Sequence, residues 1–139
     1  MSDFSAPTVS FAGGFGVQAS TYRAAHQLLV ARAPREALDL LDPAIEADPS
    51  DRGLRSLRAW AHLIQVRLKR AEAELRQLVE EDPSDLWARY ALGRALERQS
   101  RHDDALPHYR LAAAMSGDVE HEVAVLRTER RLMTTISAD

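Results

Sequence analysis

The tetrapeptide Asp-Pro-Ser-Asp occurs twice in this chain, at 48–51 and at 82–85, so the two copies stand 34 residues apart. A residue that precedes proline is disfavoured in the α-helical region, so Asp-Pro ends a helix. The serine or aspartate that follows caps the next helix, because its side-chain oxygen accepts a hydrogen bond from an N–H of the first turn. The tetrapeptide therefore predicts a joint between two helices, and its recurrence predicts a repeating unit of 34 residues.

Four apolar positions recur at the same interval in the segment that precedes each joint. Within one unit they lie at i, i+4, i+7 and i+8, which is one stripe of an α-helix. The aligned sets are Ala37, Ala71 and Ala105; Leu41, Leu75 and Tyr109; Ala44, Leu78 and Ala112; and Ile45, Val79 and Ala113. We expect the recurring alanine to mark a close approach between two helices. The matches predict three copies of one helical unit.

A second helical pattern precedes each stripe and is clearest after Asp85. Leu92, Ala95 and Leu96 form an apolar face there. Gly93 lies beside them and permits the close approach of a neighbouring helix. A short polar turn, Ser-Arg-His-Asp, joins this helix to the next one. Each unit is therefore predicted to be an antiparallel pair of helices.

The segment ALGRALERQSRHDDALPHYRLAAA, at 91–114, resembles a tetratricopeptide repeat. The residues that match the family's signature positions are Leu92, Gly93, Leu96, Ala105, Tyr109 and Ala112. The earlier copies match through Ala24, Ala25, Leu28, Ala37, Leu41, Ala44 and Pro49, and through Ala71, Leu75, Leu78 and Pro83. The resemblance implies an all-α fold, a right-handed α-solenoid of three antiparallel helix pairs with a capping helix.

The joints predict how the chain is divided. We expect a flexible tail at 1–17, three tetratricopeptide units within 18–115 (18–51, 52–85 and 86–115) and a capping helix at 116–136. The apolar face of the capping helix is predicted to cover the last repeat. That face consists of Val119, Val123, Leu126 and Met133, and Ser116 or Asp118 caps its start. Seven helices are expected in total.

The middle repeat is predicted to depart from strict spacing. Strict spacing places Arg58 and His62 in the core, where charged and polar side chains are uncommon. A slip of two residues places other side chains there instead, namely Leu57, Trp60, Ala61 and Ile64. We therefore predict the slipped register, with a shorter turn after the first helix of this repeat.

The N-terminal tail contains every phenylalanine of the chain, Phe4, Phe11 and Phe15, beside several glycines that disfavour helix. Two interpretations follow. The tail is disordered, as termini commonly are, or its phenylalanines dock on the protein's own groove or on a second copy.

Composition argues against several classes of function. The net charge of −3 provides no general attraction to nucleic acid or anionic membranes. No apolar run approaches the roughly 20 residues that span a bilayer, and the first residues lack the pattern of a secretory signal. Cysteine is absent. We expect a cytoplasmic protein, and the use of arginine in place of lysine, with abundant alanine, indicates a GC-rich bacterial genome.

No pattern of catalytic or metal-binding residues stands out. The five histidines lack the helical spacing and supporting carboxylates of a metal site. Phosphate-binding and nucleophile-elbow motifs are absent as well. Asp103 and Asp104 lie at a predicted helix start, where they complement the helix dipole. The sequence therefore predicts no enzyme, no metal and no cofactor.

The resemblance implies a concave surface, lined by the first helix of each repeat, that receives a peptide or a partner's helix. The residues at these positions are Tyr22 and His26, then Arg55, Arg58 and His62, then Trp87, Tyr90, Arg94 and Arg98. Aromatic and arginine side chains are typical of binding hot spots, and arginine matches carboxylates. An acidic peptide or a C-terminal carboxylate is the expected ligand. Alternatively, the aromatic residues pack against neighbouring helices and the arginines pair with glutamates.

The predicted function is a protein–protein interaction module without catalytic activity. The alternative is a self-associating scaffold, a homodimer for example, in which the groove or the tail joins copies of the chain.

Overall fold

The computed structural model describes residues 6–7 and 17–138. The helices of this part are α1 (Val17–Val30), α2 (Pro34–Ala47), α3 (Arg52–Ile64), α4 (Leu68–Glu81), α5 (Leu86–Glu97), α6 (His102–Ser116) and α7 (Val119–Ser137). The described residues contain these seven helices and no strand, so the all-α class and the helix count are confirmed. Phe4, Phe11 and Phe15 lie outside the described residues, and both interpretations of the tail stay predictions.

The chain forms two compact units, Met1–Glu74 and Leu75–Asp139. In the first unit α1 packs against α2 and α3, and α2 packs against α3. In the second unit α5 packs against α6, and α6 packs against α7. The predicted apolar stripes form the core of both units. Ala37 and Leu41 are fully buried in the first unit, and Ala105, Tyr109 and Ala112 are fully buried in the second.

Both Asp-Pro-Ser-Asp segments fold in the same way. The first aspartate accepts hydrogen bonds from the backbone N–H and the hydroxyl of the serine, and the last aspartate accepts from the N–H three residues further on. The distances are 3.2 and 2.6 Å from Ser50 to Asp48, 3.0 and 2.6 Å from Ser84 to Asp82, 3.1 Å from Leu54 to Asp51, and 3.0 Å from Ala88 to Asp85. The predicted joints are therefore confirmed, with aspartate as the N-cap of α3 and α5.

The middle repeat keeps strict spacing, and the predicted slip of two residues is wrong. Arg32, Val66 and Ser100 each adopt a positive φ of about 60° and stand 34 residues apart. Each lies just beyond the first helix of a pair, where a left-handed residue ends a helix. The turn between α3 and α4, residues 65–67, is as long as the turn at 31–33 between α1 and α2.

The slip proves unnecessary because α3 is buried on nearly every side. Leu57, Trp60 and Ala61 are buried as predicted, yet His62 is buried too, and Ile64 is half-buried. The carboxylate of Glu74, on α4, neutralises the half-buried Arg58. Strict spacing therefore leaves the charge of Arg58 compensated.

The apolar stripe of α7 is exposed to solvent, although it was predicted to pack on the last repeat. Val119, Val123, Leu126 and Met133 are exposed to between 49% and 69%. The residues buried on this helix are His121, Ala124 and Thr128. Ala124 and Thr128 are small, and the Thr128 hydroxyl is satisfied by donating to the carbonyl oxygen of Ala124 at 2.7 Å. The prediction that the apolar stripe covers the last repeat is therefore wrong.

Gly93 marks the predicted close approach of two helices. A Cβ atom at this position would lie 2.6 Å from Cε1 and 2.7 Å from Cδ1 of Tyr109, whose ring is fully buried on α6. Neither helix has room for even a methyl group unless that ring shifts.

We expect Gly93→Ala to destabilise the protein. Overpacking costs about 1–3 kcal/mol, which exceeds the gain of about 1 kcal/mol in helix propensity. Urea unfolding followed by circular dichroism should show a lower midpoint. The loss should shrink in a Tyr109→Leu background, where the ring is absent. An unchanged or higher midpoint for the single variant would show that this contact is not tight.

Candidate partner-binding surface

The nine candidate residues are divided between the two units. Tyr22 and His26 of α1 and Arg55, Arg58 and His62 of α3 belong to the first unit, whereas Trp87, Tyr90 and Arg94 of α5 and the C-cap residue Arg98 belong to the second. Tyr22, Arg55, His62 and Tyr90 are buried, Arg98 is exposed, and the other four are half-buried. The helices α1 and α3 are in contact, so the candidate residues of the first unit lie on two adjoining helices.

Three rings of the first unit follow one another across α1 and α3, and we call them the aromatic row. The Tyr22 and His26 rings stack with centroids 6.0 Å apart, and the His26 and Trp60 rings lie 5.9 Å apart. From the sequence, Trp60 was predicted to be a core residue only. Strict 34-residue spacing would have aligned Trp60 with the candidates His26 and Arg94, and the assumed slip removed that signal.

The chain's own N-terminal segment contacts the aromatic row. The hydroxyl of Tyr22 donates a hydrogen bond of 3.0 Å to the carbonyl oxygen of Pro7, and this bond is buried. Burial, together with the charge of Asp51, raises the pKa of Tyr22, so the hydroxyl keeps its proton and remains a donor. No sequence pattern indicated this contact, because 15 residues separate the two partners.

Arg58 is held by two carboxylates of its own unit. Its Nε and Nη2 lie 2.9 and 2.7 Å from Oε1 of Glu74, and its Nη1 lies 3.5 Å from Oδ1 of Asp42. The hydrogen bond from Arg58 to Glu74 raises the pKa of Arg58. Burial, and secondarily the Arg58 charge, lowers the pKa of His62. At pH 7 His62 is therefore neutral beside a charged guanidinium.

In the second unit, Glu97 is the centre of a polar cluster. Its carboxylate accepts from the Tyr109 hydroxyl at 2.6 Å, from Arg127 at 2.7 and 2.8 Å, and from Arg94 at 3.5 Å. Burial opposes the ionisation of Glu97, but the hydrogen bonds from Arg127 and Tyr109 outweigh it and lower the Glu97 pKa. Arg94 is therefore part of an internal network.

Tyr90 also has internal partners. Its ring lies 5.5 Å from the Tyr109 ring and 4.5 Å from the His121 ring, and its hydroxyl lies 3.4 Å from Oε1 of Glu120. These contacts of Tyr90 and Arg94 follow the alternative interpretation, in which aromatic residues pack against neighbouring helices and arginines pair with glutamates.

The described residues offer no group of three or more histidine, aspartate or glutamate side chains that could hold a metal ion. Within the same part of the chain, no helix is long and apolar enough to cross a membrane.

Comparisons with known proteins agree with this architecture. The family model described as Tetratricopeptide repeat matches residues 22–85 and 67–119. Among solved structures, the chain is similar to MamA MSR-1 C2, with a TM-score of 0.72 and 16% identity over 89% of this chain and 74% of that chain. It is also similar to MamA AMB-1 C2221, with a TM-score of 0.70 and 16% identity over 81% of this chain and 66% of that chain. At this identity the likeness concerns the fold. No curated protein sequence matches this chain.

We expect Glu97→Gln to destabilise the protein in a pH-dependent way. Because the folded pKa of Glu97 lies below its ordinary value of 4.5, the stabilisation is present above that pH and is lost as pH falls through the folded pKa. At pH 7 the variant should lose about 1–3 kcal/mol, since Arg127 and Tyr109 lose a charged acceptor.

Urea unfolding at pH 7 and at successively lower pH measures this difference, which should narrow below pH 4.5. The matched control is Glu129→Gln, which removes a surface pair with Arg110 and should change stability by less than about 1 kcal/mol. An equal loss at every pH would contradict the role of the Glu97 charge.

Proposed function

Because this chain belongs to the tetratricopeptide repeat family, whose members are protein-interaction modules, we propose that it is a non-catalytic module that binds a segment of another protein. The segment is an acidic or carboxylate-bearing peptide, and the bacterial cytoplasm is the proposed place of action. Neither nucleic acid nor a membrane is part of this proposal, consistent with the net charge of −3. In the first unit the proposed surface comprises the aromatic row and the candidates Arg55, Arg58 and His62. The candidates of the second unit, Trp87, Tyr90, Arg94 and Arg98, are proposed as partner-binding residues of that unit.

The environment of Arg58 is the observation that supports an acidic ligand. Glu74 holds the guanidinium firmly through Nε and Nη2. The contact between Nη1 and Asp42 is long, at 3.5 Å, and the Asp42 side chain is 61% exposed. Exposed ion pairs contribute little to stability. A ligand carboxylate can therefore replace Asp42 at Nη1 while Glu74 keeps the arginine in place, which is preorganisation of a binding group.

Self-association is the second candidate function. The observation that favours it is the apolar stripe of α7, where Val119, Val123, Leu126 and Met133 are exposed together. Soluble monomers rarely expose large contiguous apolar patches. If a second copy of the chain covers this stripe, the two copies form a homodimer. The protein would then be a self-associating scaffold that carries the proposed partner surface.

We expect Arg58→Gln combined with Glu74→Gln to weaken binding of an acidic partner segment roughly tenfold or more, because a charge-assisted hydrogen bond is lost. The control, Asp42→Asn, keeps Arg58 and Glu74 and removes only the exposed carboxylate that the ligand is proposed to replace, so it should keep the affinity. The partner is captured from the native cell on the chain of 139 residues, and the binding of its purified segment is then measured by titration calorimetry. Equal affinity of the wild type and the double variant would exclude an acidic ligand at Arg58.

The two candidate functions predict different molecular masses in solution. Sedimentation at several concentrations should show a monomer if the chain is an interaction module. A mass that rises with concentration in the wild type, and returns to the monomer in Val123→Glu/Leu126→Glu, would support self-association through α7. Glu122→Gln is the matched control on the same helix and should leave the mass unchanged.

A further inference from the structure

We infer that the aromatic row of Tyr22, His26 and Trp60 is a docking site for an extended, proline-containing segment, and that residues 6–7 of this same chain occupy its Tyr22 end. The inference deepens the proposed function and rests on it, since it names a ligand of the same surface. It also assigns a role to a part of the N-terminal tail, as an internal competitor of an outside partner.

The contact with Pro7 supports this inference directly. The bond from the Tyr22 hydroxyl to the Pro7 carbonyl is buried, and Pro7 itself is buried, whereas Ala6 is half-buried. A buried backbone carbonyl needs a hydrogen-bond donor, and Tyr22 supplies one from a side chain. The segment is therefore recognised through its backbone, which is how an extended peptide is commonly held.

The chemistry of proline suits this position. Proline has no backbone N–H, so its burial against the helices leaves no donor without an acceptor. Its fixed φ keeps the segment extended before binding, which reduces the entropy lost on docking. Proline-containing segments characteristically bind grooves lined by aromatic side chains. The rings of Tyr22, His26 and Trp60 follow one another at centroid distances of 6.0 and 5.9 Å. Tyr22 and Trp60 are buried and His26 is half-buried, and Pro7 packs at the Tyr22 end of this row.

The short connection to α1 favours residues 6–7 over an outside segment as the occupant of the site. Residues 8–16 join Pro7 to Val17, the first residue of α1. A short link gives a tethered ligand an effective concentration in the millimolar range. Even a weak contact is then occupied within the same chain. An outside segment must bind more tightly than the tethered one, or it must engage Arg58 as well, before it displaces residues 6–7.

Limited proteolysis tests the internal contact. Phe4 and Phe11 lie on either side of Pro7, and chymotrypsin cleaves after phenylalanine. The initial cleavage rate at both sites follows the population in which the segment is released. Tyr22→Phe keeps the ring and removes the hydroxyl, so cleavage should be about fivefold faster, the factor expected for one hydrogen bond.

Two further variants make the test specific. Pro7→Ala keeps the carbonyl but loses the fixed backbone, and its cleavage should be about two- to fivefold faster. Thr134→Ala removes an exposed side-chain hydroxyl from α7 of the second unit, at a residue outside the proposed surface, and should leave the rate unchanged. Circular dichroism checks that each variant is folded. Equal rates in the wild type, Tyr22→Phe and Pro7→Ala would overturn the inference.

The dependence of this protection on protein concentration distinguishes a segment of the same chain from a segment of a second copy. Protection that is the same across a hundredfold range of concentration supports the contact within one chain. Protection that appears only at high concentration would overturn it and assign the segment to a second copy.

A labelled peptide of residues 2–12 then tests the site as a receptor. After chymotrypsin has removed the tail, the remaining chain should bind this peptide, and should bind the Pro7→Ala peptide or the Tyr22→Phe protein several-fold more weakly. The absence of any such preference would overturn the assignment of a proline site. A failure of this test can be distinguished from a failure of the proposed function, because an outside partner that still depends on Arg58 would keep that proposal intact.

Discussion

The close approach of paired helices at alanine and glycine is the constraint on which both units depend. Ala37 in the first unit and Ala105 in the second have no exposed surface, and Gly93 leaves no room for a Cβ atom beside the Tyr109 ring. Larger side chains at these positions would separate the helices and open voids around the neighbouring leucines. Dense packing of this kind stabilises a small core, because each void removes dispersion contacts.

Several charged groups of this packed interior lie in compensated sets. Arg58 is neutralised by Glu74, and Glu97 is surrounded by Arg127, Arg94 and the Tyr109 hydroxyl. Such sets are strongly destabilised when one member is removed, since the remaining charge stays buried. The arginines of the proposed surface therefore have structural partners as well, and a substitution of one of them has to be designed together with its carboxylate.

The family's fold could be predicted in most of its features, but the candidate surface only in outline. The aspartate caps, the helix count and the close approach at Gly93 follow from residues a few positions apart or from a regular interval. The register of α3 was predicted incorrectly, because the rule that charges avoid a core ignored the partner that Glu74 provides. The exposed face of α7 was assigned to the core for a related reason: an amphipathic pattern identifies an apolar face but not the element that covers it.

The local chemistry of the chain was thus sufficient to predict the repeating unit. A proline that ends a helix, an aspartate that caps the next one and a stripe of alanine and leucine each act within one or two turns. The tertiary structure alone decided that Trp60 joins His26, that the Tyr22 hydroxyl holds the carbonyl of Pro7, and that α7 turns its small residues inward. These contacts join residues from different elements, and their free energies depend on which surfaces the packed helices bring together, which no local pattern contains.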